Sequence, residues 1–245
     1  AQRLGTADVV ELVAAICDIP SVSGQEGPLA DAVEAALRAL PHLRVTRDGH
    51  TVIARTELGR SQRVVIAGHL DTVPLASPHP NLPTQCIGDR LVGRGTVDMK
   101  GGVGVMLRLA ATVPDPCCDV TYLFYDCEEV DSARNGLRRV AANTPEALTA
   151  DFAVLMEPTD GAVEGGCKGT LRVRLSTKGI AAHSARPWMG HNAIHDASEI
   201  LARLTAYQPR VVDVDGLTYH EALQAVLISG GQATDPVTAV QPISG

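Results

Sequence analysis

Val64-Val65-Ile66-Ala67-Gly68-His69-Leu70-Asp71 runs from an unbroken apolar stretch into an imidazole and a carboxylate two residues apart. A run without alternation of polarity suits a strand buried on both faces, as in a parallel sheet covered by helices. Similar runs recur at Val120 to Tyr125 and Phe152 to Met156, with helical spacing at Gly102 to Thr112 and about Ala133 to Asn143 between them. Strand and helix therefore alternate, which predicts an α/β fold built on a mostly parallel, helix-covered sheet. Ligands of such sheets gather outside the carboxyl ends of the strands. His69, the pair Glu128-Glu129 and Glu157 each follow the end of such a run.

Upstream, apolar positions at helical spacing (Val9, Val10, Val13, Ala14, Cys17) predict a helix over Ala7 to Cys17, and Pro20 to Gly27 breaks it before Pro28 starts a second helix to about Leu40. Leu43 to Arg47 and Thr51 to Arg55 alternate around Asp48-Gly49, a hairpin signal. Downstream the pattern changes near Gly169. Leu171 to Thr177 alternates, Ala193 to Tyr207 is amphipathic, and strand-like runs follow at Val211 to Val214 and Ala222 to Ser229. This predicts a catalytic unit over residues 1–169 and an α+β unit over residues 170–245. Gly230 to Gly245 is turn-rich.

With 245 residues and 45% hydrophobic content, the chain can bury a sizeable core. A formal charge of −7 argues against nucleic acid as a partner, because phosphate binding needs clustered Lys and Arg. No apolar stretch approaches the roughly 20 residues that span a bilayer. Six cysteines without C-x-x-C spacing, and no start that reads as a signal peptide, lead to the expectation of reduced thiols in a cytoplasmic protein.

The motifs carry chemistry. Asp71 can accept the proton of the second ring nitrogen of His69 and so fix the tautomer that binds zinc. Asp98 precedes Met99-Lys100-Gly101-Gly102, where a helix begins; it is either an N-cap or a carboxylate with two oxygens free to bridge metals about 3.5–4 Å apart. Glu128-Glu129 is a common pair on solvated helices, but after Leu123-Phe124-Tyr125 one of the two can bind metal while the other faces a water as general base. Pro158 holds Glu157 extended, which aims its side chain. His42, His50, His79 and His220 lack such neighbours and read as surface residues.

Taken together, these motifs resemble the M20 metallopeptidase family, co-catalytic zinc amidohydrolases that include aminoacylases, deacetylases and desuccinylases. The resemblance spans roughly Ser21 to Ser229. It is nearest to the desuccinylase branch of actinobacteria through Gly93-Arg94-Gly95-Thr96-Val97-Asp98-Met99-Lys100-Gly101, Phe124-Tyr125-Asp126-Cys127-Glu128-Glu129, Gly166-Cys167-Lys168-Gly169-Thr170-Leu171-Arg172-Val173 and Ala182-His183-Ser184-Ala185-Arg186. The resemblance implies two Zn²⁺ ions, with Co²⁺ as a substitute. His69 and Glu157 hold one, Asp98 bridges, Glu129 holds the second, Asp71 orients His69, and Glu128 takes the proton of the attacking water. It implies a substrate of the N-acyl amino acid class, with N-succinyl-LL-2,6-diaminopimelate first and an acetylated amino acid or peptide as the alternative; a metal-binding scaffold without catalysis is a further alternative. The second unit becomes an inserted lid that forms a homodimer, with His183 reaching the partner's site to stabilise the oxyanion. Lys168, Arg186 and Asn192 are candidates for holding substrate carboxylates. In relatives a further histidine after the lid completes the second zinc site, whereas the last histidine here is His220. A chain ending at Gly245 is therefore expected to hold the second zinc weakly and to turn over little substrate.

Overall fold

The computed structural model describes residues 8–79, 81–183 and 185–231. The chain divides into two compact units, residues 1–162 and 163–245. The division falls earlier than the boundary expected near Gly169.

In the first unit, helix α1 (Val9–Cys17) starts at Asp8, whose carboxylate accepts the Val10 N–H, and α2 (Gly27–Arg38) has Pro28 in its first turn, where no intrahelical donor is lost. Strands β1 (Arg44–Asp48) and β2 (Thr51–Arg55) form the expected hairpin. Its turn needs glycine: Gly49 has φ +60°, and a Cβ there would lie 2.9 Å from the Arg139 guanidinium. Then come β3 (Arg63–His69), a small hairpin of β4 (Gln85–Ile87) with β5 (Arg90–Val92), α3 (Lys100–Thr112), β6 (Asp119–Tyr125), α4 (Gly136–Asn143) and β7 (Phe152–Leu155). The β4–β5 hairpin had no clear periodicity to announce it.

The main sheet has the order β1-β2-β6-β3-β7. β3 runs parallel to β6 and to β7, but β2 runs antiparallel to both β1 and β6. The sheet is therefore mixed rather than mostly parallel, because a two-residue turn can join only antiparallel strands and so fixes the direction of β2 relative to β1. Every residue of β6, the central strand, is buried. Alternate residues serve opposite faces. Val52, Ala54, Tyr122 and Phe124 pack with α2 and α3 through Leu29, Leu37, Val103 and Met106, while Ile53, Leu123 and Tyr125 pack with Val140 and Ala147. β7 is an edge strand in which Phe152 is 65% and Leu155 54% exposed, so the two-sided burial expected of that run is not found among the described residues.

Register sets up the site. His69 pairs with Tyr125 and Ala67 with Leu155, so the three parallel strands end at nearly the same level. The residues that follow them leave one edge of the sheet together.

The second unit holds α5 (Ala193–Ala206), capped by Asn192, and an antiparallel hairpin of β8 (Val211–Val214) and β9 (Leu217–His220). The strands expected at Leu171 to Thr177 and Ala222 to Ser229 are not formed in the structure. Alternation assigns faces but not a partner, and a strand without ladder hydrogen bonds has little to hold it; Leu171, Val173 and Leu175 are 88%, 65% and 62% exposed. The second strand of the hairpin lies instead at Leu217–His220, after Asp215-Gly216 in left-handed backbone. Residues 232–245, most of the turn-rich tail, lie outside the described residues. No helix among the described residues is long and apolar enough to cross a membrane.

Candidate metal centre

His69 ends β3 inside the sheet edge and is 1% exposed. The glycine before it allows α3 to approach closely: a Cβ on Gly68 would lie 2.8 Å from Met99 Cε. Met99 Sδ accepts the His69 N–H at 3.2 Å, and the Tyr125 ring stands edge-on at 6.1 Å. The imidazole has little room to turn.

Its Nε2 faces two carboxylates, Asp98 Oδ1 at 3.1 Å and Glu157 Oε1 at 3.9 Å. One ligand atom from each of His69, Asp98 and Glu157 lies within 4.8 Å of the others. On the far side of the ring, Nδ1 is 2.9 Å from the Asp71 backbone carbonyl and 3.4 Å from its carboxylate Oδ1. The shorter contact is the carbonyl, an obligate acceptor, so Nδ1 carries a proton and Nε2 points at the acids. Burial lowers the His69 pKa, but the Asp71 hydrogen bond and charge, followed by Glu157 and Asp98, outweigh it and raise the value to about 9.

The Asp71 carboxylate has other work. Oδ1 accepts the Glu128 N–H at 2.9 Å; Oδ2 accepts the Glu129 N–H at 3.0 Å and the Ser23 hydroxyl at 2.7 Å. Burial pushes its pKa up, but contacts with His69, Ser23 and the two backbone N–H groups overcome this and hold the group at about 2. It is a fixed anion.

Glu128 and Glu129 are thus held at the rim by their backbones and are partly exposed. Burial, then repulsion from Asp98, raises the pKa of Glu129, with further repulsion from Glu128 and Asp71 against the lowering effect of His69. Glu157 is raised likewise, first by burial and then by Asp98, Glu128 and Glu129, despite His69. The raised pKa of His69 and of the two glutamates reports an excess of negative charge around the ring nitrogen, which a proton relieves here and a metal ion would relieve in its place, and imidazole with carboxylate oxygens suits zinc. The residues present fit the metal for the three-ligand cluster. Glu129 stands outside that cluster but lines a recess with Asp98, Thr72 and Arg94.

The remaining candidates belong to the second unit. His183 is exposed, with Nδ1 accepting the Ala185 N–H at 3.0 Å. Lys168 is exposed and donates to the His220 carbonyl at 3.3 Å. Arg186 is exposed, and Asn192 Oδ1 caps α5 by accepting the Ile194 N–H at 2.9 Å.

Two residues that support the site had no local signature. Besides Ser23, Glu26 is fully buried, and its Oε1 accepts the N–H of Gly24 at 2.7 Å and of Cys127 at 3.2 Å. Cys127 sits at φ +57° immediately before Glu128. Partners 48 and 101 residues apart leave no pattern in the sequence. All six cysteines are free thiols.

The model of peptidase family M20/M25/M40 matches residues 65–230. A succinyl-diaminopimelate desuccinylase of Corynebacterium glutamicum is 44% identical over 235 residues, covering 94% of this chain and 63% of the relative. A Mycobacterium tuberculosis protein, named with a provisional assignment to the same activity, is 54% identical over 227 residues, covering 92% of this chain and 63% of the relative. The chain thus spans less than two thirds of the length of these relatives. Among solved structures, an M20 metallo-carboxypeptidase of Sulfolobus solfataricus superposes with a TM-score of 0.62 at 16% identity, over 81% of this chain and 50% of that one, which shows a shared fold. The chain belongs to peptidase family M20/M25/M40.

Proposed function

We propose that this chain carries the metal centre of an amide hydrolase that removes succinate from N-succinyl-LL-2,6-diaminopimelate, a step in making diaminopimelate and lysine. The observation that carries the hydrolase is the convergence within 4.8 Å of His69 and Glu157, at the ends of parallel strands, with Asp98, just before helix α3. The choice of substrate rests on identities of 54% and 44% to relatives named for this desuccinylase.

Zinc held by these three residues would supply a Lewis acid for the scissile carbonyl and would lower the pKa of water towards about 7. The residues do the rest. His69 offers Nε2 because its Nδ1 proton is committed to Asp71, and Glu157 and Asp98 supply the anionic oxygens. In this reading Asp98 would also help to hold a second ion, with Glu129 as its further ligand. Glu128 takes the proton of the attacking water and delivers it to the leaving amine, from a loop that Asp71 holds by two N–H groups. The second unit is proposed as a lid through which two copies pair, with His183 of the partner subunit stabilising the oxyanion. Lys168, Arg186 and Asn192 remain candidates for substrate carboxylates. Six free thiols accord with a reducing, cytoplasmic setting.

The test is release of succinate by the zinc-loaded protein in its natural length, with succinylated and acetylated substrates in competition. Preference for the succinyl compound supports the reading; preference for the acetyl compound overturns it in favour of an N-acetyl amino acid hydrolase.

A further inference from the structure

Beside the metal cluster lies a recess of about 310 Å³ whose lining includes Thr72, Arg94, Thr96, Asp98 and Glu129. Arg94 is its one cation among the described residues. Its guanidinium makes no ion pair or hydrogen bond within the described chain, and its Nε is buried without a partner. Arginines elsewhere in this unit differ: Arg139 binds Asp126 and Asp48, Arg47 binds Asp31 and Glu34, and Arg55, whose Nε is also buried without a partner, still donates from Nη1 to the Glu146 carbonyl at 3.3 Å. A buried donor with no acceptor is costly, so a group left this way beside a reaction centre calls for an acceptor from outside.

The backbone around it is clamped. The Arg94 N–H donates to the Asn81 carbonyl at 3.0 Å. A Cβ on Gly93 would lie 2.5 Å from Thr84 Cγ2, and Gly95 occupies φ +82° with Thr72 close against it. Arg94 is therefore presented by a main chain with little freedom, four positions before Asp98. A guanidinium is a planar fork that matches a carboxylate with paired hydrogen bonds.

We propose that Arg94 binds a carboxylate of the substrate in this recess, so that the acyl or amino acid arm is anchored while the amide lies over the metal cluster. The inference deepens the amide hydrolase reading and rests on it. It also places a carboxylate anchor in the first unit, where sequence reasoning had offered only Lys168, Arg186 and Asn192 in the second.

The experiment compares the wild-type protein, Arg94→Gln and Arg94→Lys, all zinc-loaded, on the N-succinyl substrate, on its N-butyryl analogue, which lacks the acyl carboxylate, and on a succinylated diamine, which lacks the amino acid carboxylates. Zinc affinity is titrated in parallel. Arg94→Gln is expected to lower kcat/KM by about 10- to 100-fold through KM on substrates that carry the bound carboxylate, the size of a lost charge-assisted hydrogen bond. The analogue lacking that carboxylate loses less than about 3-fold, Arg94→Lys recovers part of the loss, and zinc affinity is unchanged. A loss confined to acyl-carboxylate substrates assigns the acyl arm; a loss confined to amino acid substrates assigns the other. Equal loss on all three compounds, or none on any, overturns the proposal. If the wild-type protein hydrolyses none of them, the hydrolase reading falls, and calorimetric binding of succinate and of diaminopimelate decides Arg94 by itself: equal affinity of wild type and Arg94→Gln for both overturns it.

Discussion

Asp71 Oδ1 accepts the backbone N–H of Glu128 at 2.9 Å, which ties the end of β3 to the loop after β6. One carboxylate thereby links two jobs. Its residue supplies the carbonyl that sets the His69 tautomer, and its side chain sets the position of the residue assigned as general base. Ser23 closes the arrangement by donating to Oδ2 at 2.7 Å.

Asp71→Asn keeps the shape but turns one oxygen into an NH₂ group that must face an N–H or compete for the Ser23 hydroxyl. The expected outcome is zinc affinity lower by about 10- to 100-fold, as for other outer partners of metal ligands. Titration against a chromophoric chelator reads it. Unchanged affinity together with unchanged turnover would show that the linkage carries no weight.

Glu128→Gln leaves the cluster of His69, Asp98 and Glu157 intact and removes only the proton acceptor. Turnover is expected to fall about 10²- to 10⁴-fold at constant zinc affinity. A variant that retains most of its rate assigns the base elsewhere.

Glu26→Ala strips the acceptor from the Gly24 and Cys127 N–H groups. The cost is about 1–3 kcal/mol of unfolding free energy for buried donors left unmet, with lower kcat because Cys127 leads directly into Glu128. Glu26→Gln keeps one amide oxygen and should restore most of both. Denaturant melts alongside kcat check this, and an alanine variant as stable and as fast as wild type contradicts it.

Asp98 and Glu157 facing His69 Nε2 predict that zinc stabilises the fold. At a free concentration 100 times Kd the gain is about 2.7 kcal/mol. His69→Ala, which removes the nitrogen ligand, should abolish the gain; a gain that survives in this variant places the ion at another site.

Asp119, at the start of β6, accepts the Thr56 hydroxyl and the N–H groups of Leu58 and Arg60. Burial raises its pKa, but the Leu58 N–H, the Thr56 hydroxyl, the Arg60 N–H and the Arg63 charge lower it further, from 3.8 to about 2. A folded-state value below the unfolded one gives stability that is present above about pH 4 and lost as pH falls towards 2. Asp119→Asn should therefore be less stable than wild type at pH 7, with the gap closing between about pH 4 and pH 2. A gap that stays constant with pH removes the carboxylate's charge from the explanation.

What the sequence determined by itself was local or periodic. Apolar runs at Val64 to Ala67 and Val120 to Tyr125 mark strands because burial on both faces leaves little alternation, and helical spacing of apolar residues marks α1 because one face of it is buried. The positions of His69, Asp98 and Glu157 at element ends were legible for the same reason. Tertiary structure alone decided the rest. Strand order placed β6 between β2 and β3, making a mixed sheet, and register brought three strand ends level. Only the fold could send the Asp71 carboxylate to Glu128 and Glu129 57 and 58 residues away, leave Glu129 outside the three-ligand cluster, and strand Arg94 beside it without a partner among the described residues. Such contacts join residues far apart in the chain through packing, and packing energy depends on shape in three dimensions, which no window of neighbouring residues encodes.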